Sequence, residues 1–254
     1  MPTADMRGVV GLGSAYDAGT HIAPHAHTAH QIAHAISGTM RVTVHDFVWF
    51  VPTGRALWIP AMTLHAIDCV GPVDMRTAYL SRAYPLPHKD VRVLSVSPLM
   101  REVLIRLAEA QEQRLNILLA DLLIHEIGEG KLESLKIPIP SDPRIAKLAL
   151  HFQTAPDDRT TLKHWAKRLG YSERSLIRSI RAETGMTFRE LRRLSRVMVA
   201  LDKLSAGQSV TETAFDVGFE TPSAFIHAFH TLIGETPGQF VGRSPMKRGE
   251  NPVF

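Results

Sequence analysis

The stretch from Thr161 to Val241 reads TLKHWAKRLGYSERSLIRSIRAETGMTF over 161–188, RELRRLSRVMVALDKLSAG over 189–207 and QSVTETAFDVGFETPSAFIHAFHTLIGETPGQFV over 208–241. The first and third pieces share one layout: a short amphipathic helix, a turn at a glycine, and a longer second helix that ends near another glycine. In the first piece Leu162, Trp165, Ala166 and Leu169 form the first apolar face. Gly170 turns the chain, Ser172 is placed to cap, and Leu176, Ile177 and Ile180 are expected to face inward. In the third piece Val210, Ala214 and Val217 form the first face, Gly218 turns the chain, and Phe225, Ala228, Phe229 and Leu232 are expected inward. Helix, turn and helix at this spacing is a helix-turn-helix, whose second helix fits the DNA major groove.

The polar positions between those anchors carry the chemistry. Arg174, Ser175 and Arg178 fall at i, i+1 and i+4, away from the apolar face. Two guanidiniums one turn apart suit bidentate contact to guanine edges or to phosphates. A solvated helix face is the alternative, and isolated basic residues usually form one. Two units with turn glycines and caps in matching places favour DNA reading.

This block resembles the DNA-binding domain of AraC/XylS-family transcription regulators. The matching runs are AKRLGYSERSLIRSIRAETGMTF and IHAFHTLIGETPGQFV, with Ala214, Gly218, Phe219, Phe225, Phe229, Gly234 and Pro237 at the family's characteristic places. The resemblance implies two helix-turn-helix units joined by a long helix, with both second helices in successive major grooves on one DNA face. It implies base reading by Arg174, Ser175 and Arg178 in one groove and by Ser223, Ala224 and His227 in the next. Thr187, Thr221 and the helix N-termini are the candidates for phosphate contacts. His227 stands where the family often has arginine, and Pro222 where a polar residue is common. The second unit is therefore expected to read bases less sharply.

Charge is unevenly placed. Residues 141–254 hold 17 Lys/Arg against 12 Asp/Glu, and residues 1–140 hold 12 against 13. The positive excess sits in the half with the helix-turn-helix pattern, as a phosphate-facing surface requires. Cys69 is the only cysteine, which excludes an internal disulfide and fits a cytoplasmic setting. The first residues lack the long apolar core of a secretory signal, no apolar run reaches membrane-spanning length, and no membrane partner is expected.

Before about residue 80 the chain reads as short strands. RVTV at 41–44, FVWFV at 47–51, ALWIP ending at Pro60 and MRTAYLS at 75–81 are broken by Gly and Pro turns. That pattern suggests a small β-barrel or jelly roll. Residues 1–17 are read as a lead-in or one edge strand. Within this block His25 and His27 form HxH, followed by Gln31, with Gly19 before and Gly38 after; Gly54, Pro60 and His65 lie downstream. The spacing resembles the two motifs of the cupin barrel, with Gln31 in place of the acidic residue and Met62 in place of an inner glycine. The resemblance implies that His25, His27 and His65, with Gln31 as a fourth oxygen ligand, form a candidate site for a divalent transition metal. Alternation along a strand is expected to put the two histidines of HxH on one side. A barrel whose histidines line a wet pocket is the alternative. His21, His30, His34 and His45 are read as pocket or surface residues. Phe47, Trp49, Trp58, Ile32 and Met40 are candidates for apolar pocket walls or plain core.

Ser97 and Pro98 open a helix with Leu99, Val103, Leu107 and Ala110 on one face. A second helix over LNILLADLLIHEIGEG has more apolar surface than one small barrel needs, which points to a dimer seam. Residues 131–141, with Pro138 and Pro140, read as a linker. Ile145, Leu148, Ala149 and Phe152 line the next helix. A joining helix is expected over Phe188–Ser205, decorated by Arg189, Arg192, Arg193 and Arg196, which are read as phosphate contacts or a solvated face. The tail from Ser244 reads as loose.

The expected fold is α+β in two domains. A cupin-like jelly-roll barrel spans 1–95, a helical dimerisation region 96–130, a linker 131–141, and an all-α domain with two helix-turn-helix units 142–245. The expected function is sequence-specific DNA-binding transcription regulation, responsive to a small molecule or metal, in a non-enzymatic homodimer that binds promoter DNA and contacts RNA polymerase. The alternative is a metal-dependent cupin enzyme with an accessory DNA-binding domain.

Overall fold

A computed structural model describes residues 8–84, 87–109, 112–133 and 135–242. The expected loose tail and the first part of the lead-in lie outside the described residues. Two compact units divide near Leu135 and Lys136, with Asp46–Val48 grouped with the second.

The first unit is built on two sheets. Its strands are β1 (Val9–Tyr16), β2 (His21–His25), β3 (His30–Ser37), β4 (Thr39–Val44), β5 (Phe47–Pro52), β6 (Arg55–Ile59), β7 (His65–Cys69), β8 (Val73–Leu80), β9 (Arg92–Ser95) and β10 (Leu132–Glu133). One sheet runs β1-β8-β3-β6-β9-β10, and the other contains β5-β4-β7-β2 in that order. Of the two readings for the first residues, lead-in or edge strand, Val9–Tyr16 takes the second: β1 is an eight-residue edge strand registered antiparallel on β8 from Val9↔Leu80 to Tyr16↔Val73.

Helices α1 (Pro98–Glu109) and α2 (Gln113–Glu129) follow the barrel. Met100, Val103, Leu104 and Leu107 of α1 and Ala120, Leu123 and Ile127 of α2 join Ile32, Trp58, Ala78 and Leu80 in one core cluster. Ile32 and Trp58 therefore serve the helix-facing core. Leu99, expected inward, is exposed. Ser97 caps α1 by accepting from the Met100 amide, and its hydroxyl donates to Glu126 of α2, tying the two helices.

The stretch read as a linker at 131–141 is more ordered than expected. It forms β10, paired on β9 through Leu132↔Leu94, and then β11 (Lys136–Pro138). Leu135 and Ile137 are buried two residues apart, as the pleat requires. Their alternation, not the prolines, decides the conformation.

The second unit is helical: α3 (Pro143–Thr154), α4 (Leu162–Leu169), α5 (Glu173–Thr184), α6 (Phe188–Ser205), α7 (Val210–Asp216), α8 (Pro222–Ile233) and α9 (Pro237–Gly242). Caps set the starts. Asp142, Thr161, Ser172, Thr187, Ser209 and Thr221 each accept a backbone N–H of the first turn, and Thr187 with Glu190 and Ser209 with Glu212 complete capping boxes. Gly170, Gly185 and Gly234 end α4, α5 and α8 in the left-handed conformation. Ile145, Leu148, Ala149 and Phe152 are buried as α3 requires, and α6 runs the full Phe188–Ser205. Arg192 and Arg196, read as surface decoration, are half-buried tethers. Arg192 donates to the Thr160 carbonyl and lies over the Phe152 and Phe188 rings, and Arg196 donates to the Pro156 and Asp158 carbonyls.

Candidate metal centre and nucleic-acid interface

His25 is the last residue of β2 and pairs directly with His65, the first residue of β7, across a register shift between Ile22 and His25. His27 lies beyond the strand, so alternation along β2 does not place it. A hydrogen bond from the Met62 amide to the His27 carbonyl, 2.7 Å, holds it instead. Met62 adopts φ 64°, the left-handed backbone that a glycine takes without strain. Its side chain is 63% exposed, and the backbone strain that a glycine would avoid remains.

The three imidazoles converge, each offering a ring nitrogen within 4.8 Å of the others. Ring centroids lie 4.3 Å apart for His25 and His65, 4.8 Å for His25 and His27, and 5.5 Å for His27 and His65. His25 Nδ1 donates to the Ala23 carbonyl at 2.8 Å, and His65 Nδ1 donates to the Thr63 carbonyl at 2.9 Å. A carbonyl only accepts, so both Nδ1 atoms carry the proton and both Nε2 lone pairs are free to bind a cation. The Nε2 atoms of His27 and His65 are buried with no hydrogen-bond partner.

Gln31, on β3, is linked to this set through Tyr79. Its Nε2 donates to Thr77 Oγ1 at 3.2 Å and Tyr79 Oη at 3.4 Å, while its Oε1 is buried and unpartnered. The Tyr79 ring meets His27 edge to face at 4.7 Å. Burial, then the neighbouring His25 and His65, lowers His27 to about 4, so it is neutral at pH 7. His65 is lowered by burial and by His25, against the pull of the Thr63 carbonyl. Neutral imidazoles and an amide oxygen are donors for a borderline divalent transition metal.

The other histidines of the barrel have separate roles. His30 is buried, stacks on Trp58 and accepts from the Ala61 amide at 2.9 Å. His34 is buried, donates through Nδ1 to the Arg55 carbonyl and is lowered to about 4, chiefly by burial. Of the expected pocket or surface positions neither is surface: His30 is buried against Trp58, and His34 is buried at the wall of a cavity. His21 pairs with Asp68 at the surface, and His45 is exposed at φ 50°.

In the second unit α4–α5 and α7–α8 form the two helix-turn-helix pairs. Arg174 and Arg178 are exposed on α5, while Ser175 is half-buried with its amide and hydroxyl turned to the Ser172 cap. Ser223, Ala224 and His227 are exposed on α8. Thr187 and Thr221 sit at the starts of α6 and α8, their hydroxyls accepting from Glu190 and Ala224 amides. Ile177, expected inward, is 50% exposed on α5; Leu176 and Ile180 alone carry that helix's buried face.

A two-sheet barrel followed by a domain with paired helix-turn-helix units defines a DNA-binding regulator with an attached barrel domain. The helix-turn-helix domain family matches residues 165–243 and the cupin domain family residues 14–80. The HTH-type transcriptional regulator NimR of Escherichia coli K12 is 28% identical over 223 residues, covering 86% of this chain and 82% of that protein. The HTH-type transcriptional regulator RipA of Corynebacterium glutamicum is 34% identical over 103 residues, covering 41% of this chain and 31% of that protein. A structure of fatty-acid-bound ToxT from Vibrio cholerae aligns at a TM-score of 0.41 and 11% identity, over 98% of this chain and 100% of that one, too slight a likeness to bear on ligands. The chain thus joins a cupin domain to an AraC-type helix-turn-helix domain, the makeup of a DNA-binding transcription regulator, and is similar along most of its length to NimR. No helix among the described residues is long and apolar enough to cross a membrane.

Proposed function

We propose that this regulator is metal-responsive: His25, His27 and His65, with Gln31 Oε1, hold a divalent transition metal in the cupin barrel, and metal occupancy sets DNA affinity. The observation that carries the reading is three imidazoles with converging ring nitrogens: His25 and His65 hold Nε2 unprotonated, and His27 and His65 Nε2 are buried without partners, as is the Gln31 amide oxygen. The ion itself supplies Lewis acidity; the chain's contribution is to fix tautomers and exclude water. We read the centre as a sensor and not a catalyst, because it shares its chain with a promoter-binding domain.

In this reading Arg174, Ser175 and Arg178 contact bases in one major groove and Ser223, Ala224 and His227 in the next, with Thr187 and Thr221 near phosphates. The protein acts as a cytoplasmic homodimer through α2, where Leu118 is 61% exposed beside exposed Ile117 and half-buried Leu115 and Leu122. On promoter DNA the dimer contacts RNA polymerase.

A second reading, a small-molecule effector, has its own support. A cavity of about 410 Å³ opens beside the start of α1, lined by His34, Thr53, Ser95, Ser97 and Arg101 among others. That volume suits a small ligand.

Elemental analysis and DNA titration of wild type and His27→Ala test the metal reading. A stoichiometric transition metal in the wild type, absent from the variant, with DNA affinity that falls on chelation and returns on adding the metal, is the expected result. Metal-free protein that neither binds added Zn²⁺, Ni²⁺, Fe²⁺ or Mn²⁺ nor changes its DNA affinity with them overturns it and leaves the effector reading.

A further inference from the structure

The two reading helices repeat one feature that the charged positions do not explain. On α5, five residues after the Ser172 cap, stands Ile177, 50% exposed; on α8, five residues after the Thr221 cap, stands Ile226, 38% exposed. Each follows a fully buried residue, Leu176 or Phe225, and each precedes a polar one, Arg178 or His227. Three residues before each isoleucine comes Arg174 or Ser223, on the same exposed face.

Single exposed hydrophobic residues are ordinary. Ile139, Leu150 and Phe215 are also exposed in this unit, but none has an apolar counterpart; Lys167 stands where Phe215 does. Ile177 and Ile226 are the same β-branched residue at the same step of two separate helices. Helix formation does not call for it, since Ala, Leu, Lys or Arg is favoured at an exposed helical position. Core packing does not call for it either, because the neighbouring residue already fills the core. An apolar side chain among groove-facing polar ones has a partner of defined chemistry, the C5 methyl of thymine, which only the major groove displays.

We infer that Ile177 and Ile226 are thymine-methyl readers, one in each helix-turn-helix unit. The inference rests on the placement of α5 and α8 in the major groove and adds a specificity that the arginines cannot supply. Because the two residues are equivalent, their thymines fall at equivalent places in the two grooves, about 10 base pairs apart.

The test begins with binding sites selected from random duplex DNA by the full chain. Each conserved thymine is then replaced by uracil, which removes the methyl group and nothing else, and affinities are measured by fluorescence anisotropy at fixed salt. Wild type is expected to lose about fourfold at each of two thymines, the effect of exposing one methyl group. Ile177→Ala should bind thymine and uracil equally at one position, and Ile226→Ala at the other. Circular dichroism melts confirm that the variants fold. Indifference of the wild type to every replacement, or a thymine preference that survives in both variants, overturns the inference. Arg178→Ala separates the two layers. If it loses specific affinity while both isoleucine variants keep the thymine preference, only this inference falls. If it keeps full specific affinity, or if selection enriches no sequence, the groove placement of α5 falls with it.

Discussion

Helix α5 carries three arginines and two glutamates in its twelve residues, whereas α8, also twelve residues long, carries no Lys, Arg, Asp or Glu. Their cores differ in the opposite sense. Leu176 and Ile180 are the buried residues of α5, and the bulk around them comes from Trp165, Phe152 and Phe188 on α4, α3 and α6. In the second unit the chain of ring contacts passes through α8 itself, from Phe219 to Phe225 at 5.5 Å, Phe225 to Phe229 at 5.6 Å, and Phe229 to Phe240 at 5.7 Å. A helix whose core is filled by its neighbours is free to spend its surface on charge. One that supplies the core itself presents small or neutral groups to the groove.

The strongest way to break this contrast is Phe229→Ala. Removing a fully buried aromatic from the ring chain should destabilise by about 3–5 kcal/mol, against about 2–5 kcal/mol for Ile180→Ala. Urea unfolding checks it, and a loss no larger than for a surface substitution would mean that the second unit is held elsewhere.

Next in size is the binding contrast. Arg178→Ala should cost about 1–3 kcal/mol of specific DNA affinity and relax discrimination at one base. His227→Ala should cost less and leave the salt slope closer to that of wild type. Titrations at several salt concentrations distinguish them, and equal losses would erase the asymmetry.

The smallest effect sharpens the turns. Gly170 and Gly218 both have positive φ, 72° and 83°. An added Cβ at Gly170 meets open space, so Gly170→Ala should cost about 1–2 kcal/mol from backbone strain alone. At Gly218 the same atom would sit 2.6 Å from Asp157 Cα and 2.8 Å from the Arg196 guanidinium, so Gly218→Ala should cost more. Thermal melts of the two variants decide the order.

These helices were largely legible because caps and turn glycines are local signals. Ser172, Thr187 and Thr221 each act on an amide three residues away. Ile177 was not legible, because Leu176, Ile177 and Ile180 fall on one broad apolar arc, and only packing shows that α5 buries its 176/180 edge. The strands of 131–138 were hidden for a related reason: two prolines and a lost helical period suggest a loop, whereas burial of Leu135 and Ile137 depends on distant partners. In the metal centre the spacing of His25, His27 and His65 was visible, but the force that places His27 was not. It comes from the amide of Met62, thirty-five residues along the chain, held at a backbone angle no composition reports.

Glu183 stands in the last turn of α5. Its carboxylate accepts from the Ser141 amide at 2.6 Å, from the Ser141 hydroxyl and from the Asp142 amide, while Asp142 also holds Tyr171 and Arg144. Those bonds hold the Glu183 carboxyl below its ordinary range. Mechanically, the chain leaving β11 is clasped to the heel of the helix whose toe bears Arg174. A pull along residues 139 and 140 therefore bears on α5 through Glu183 as well as on α3, which Asp142 caps.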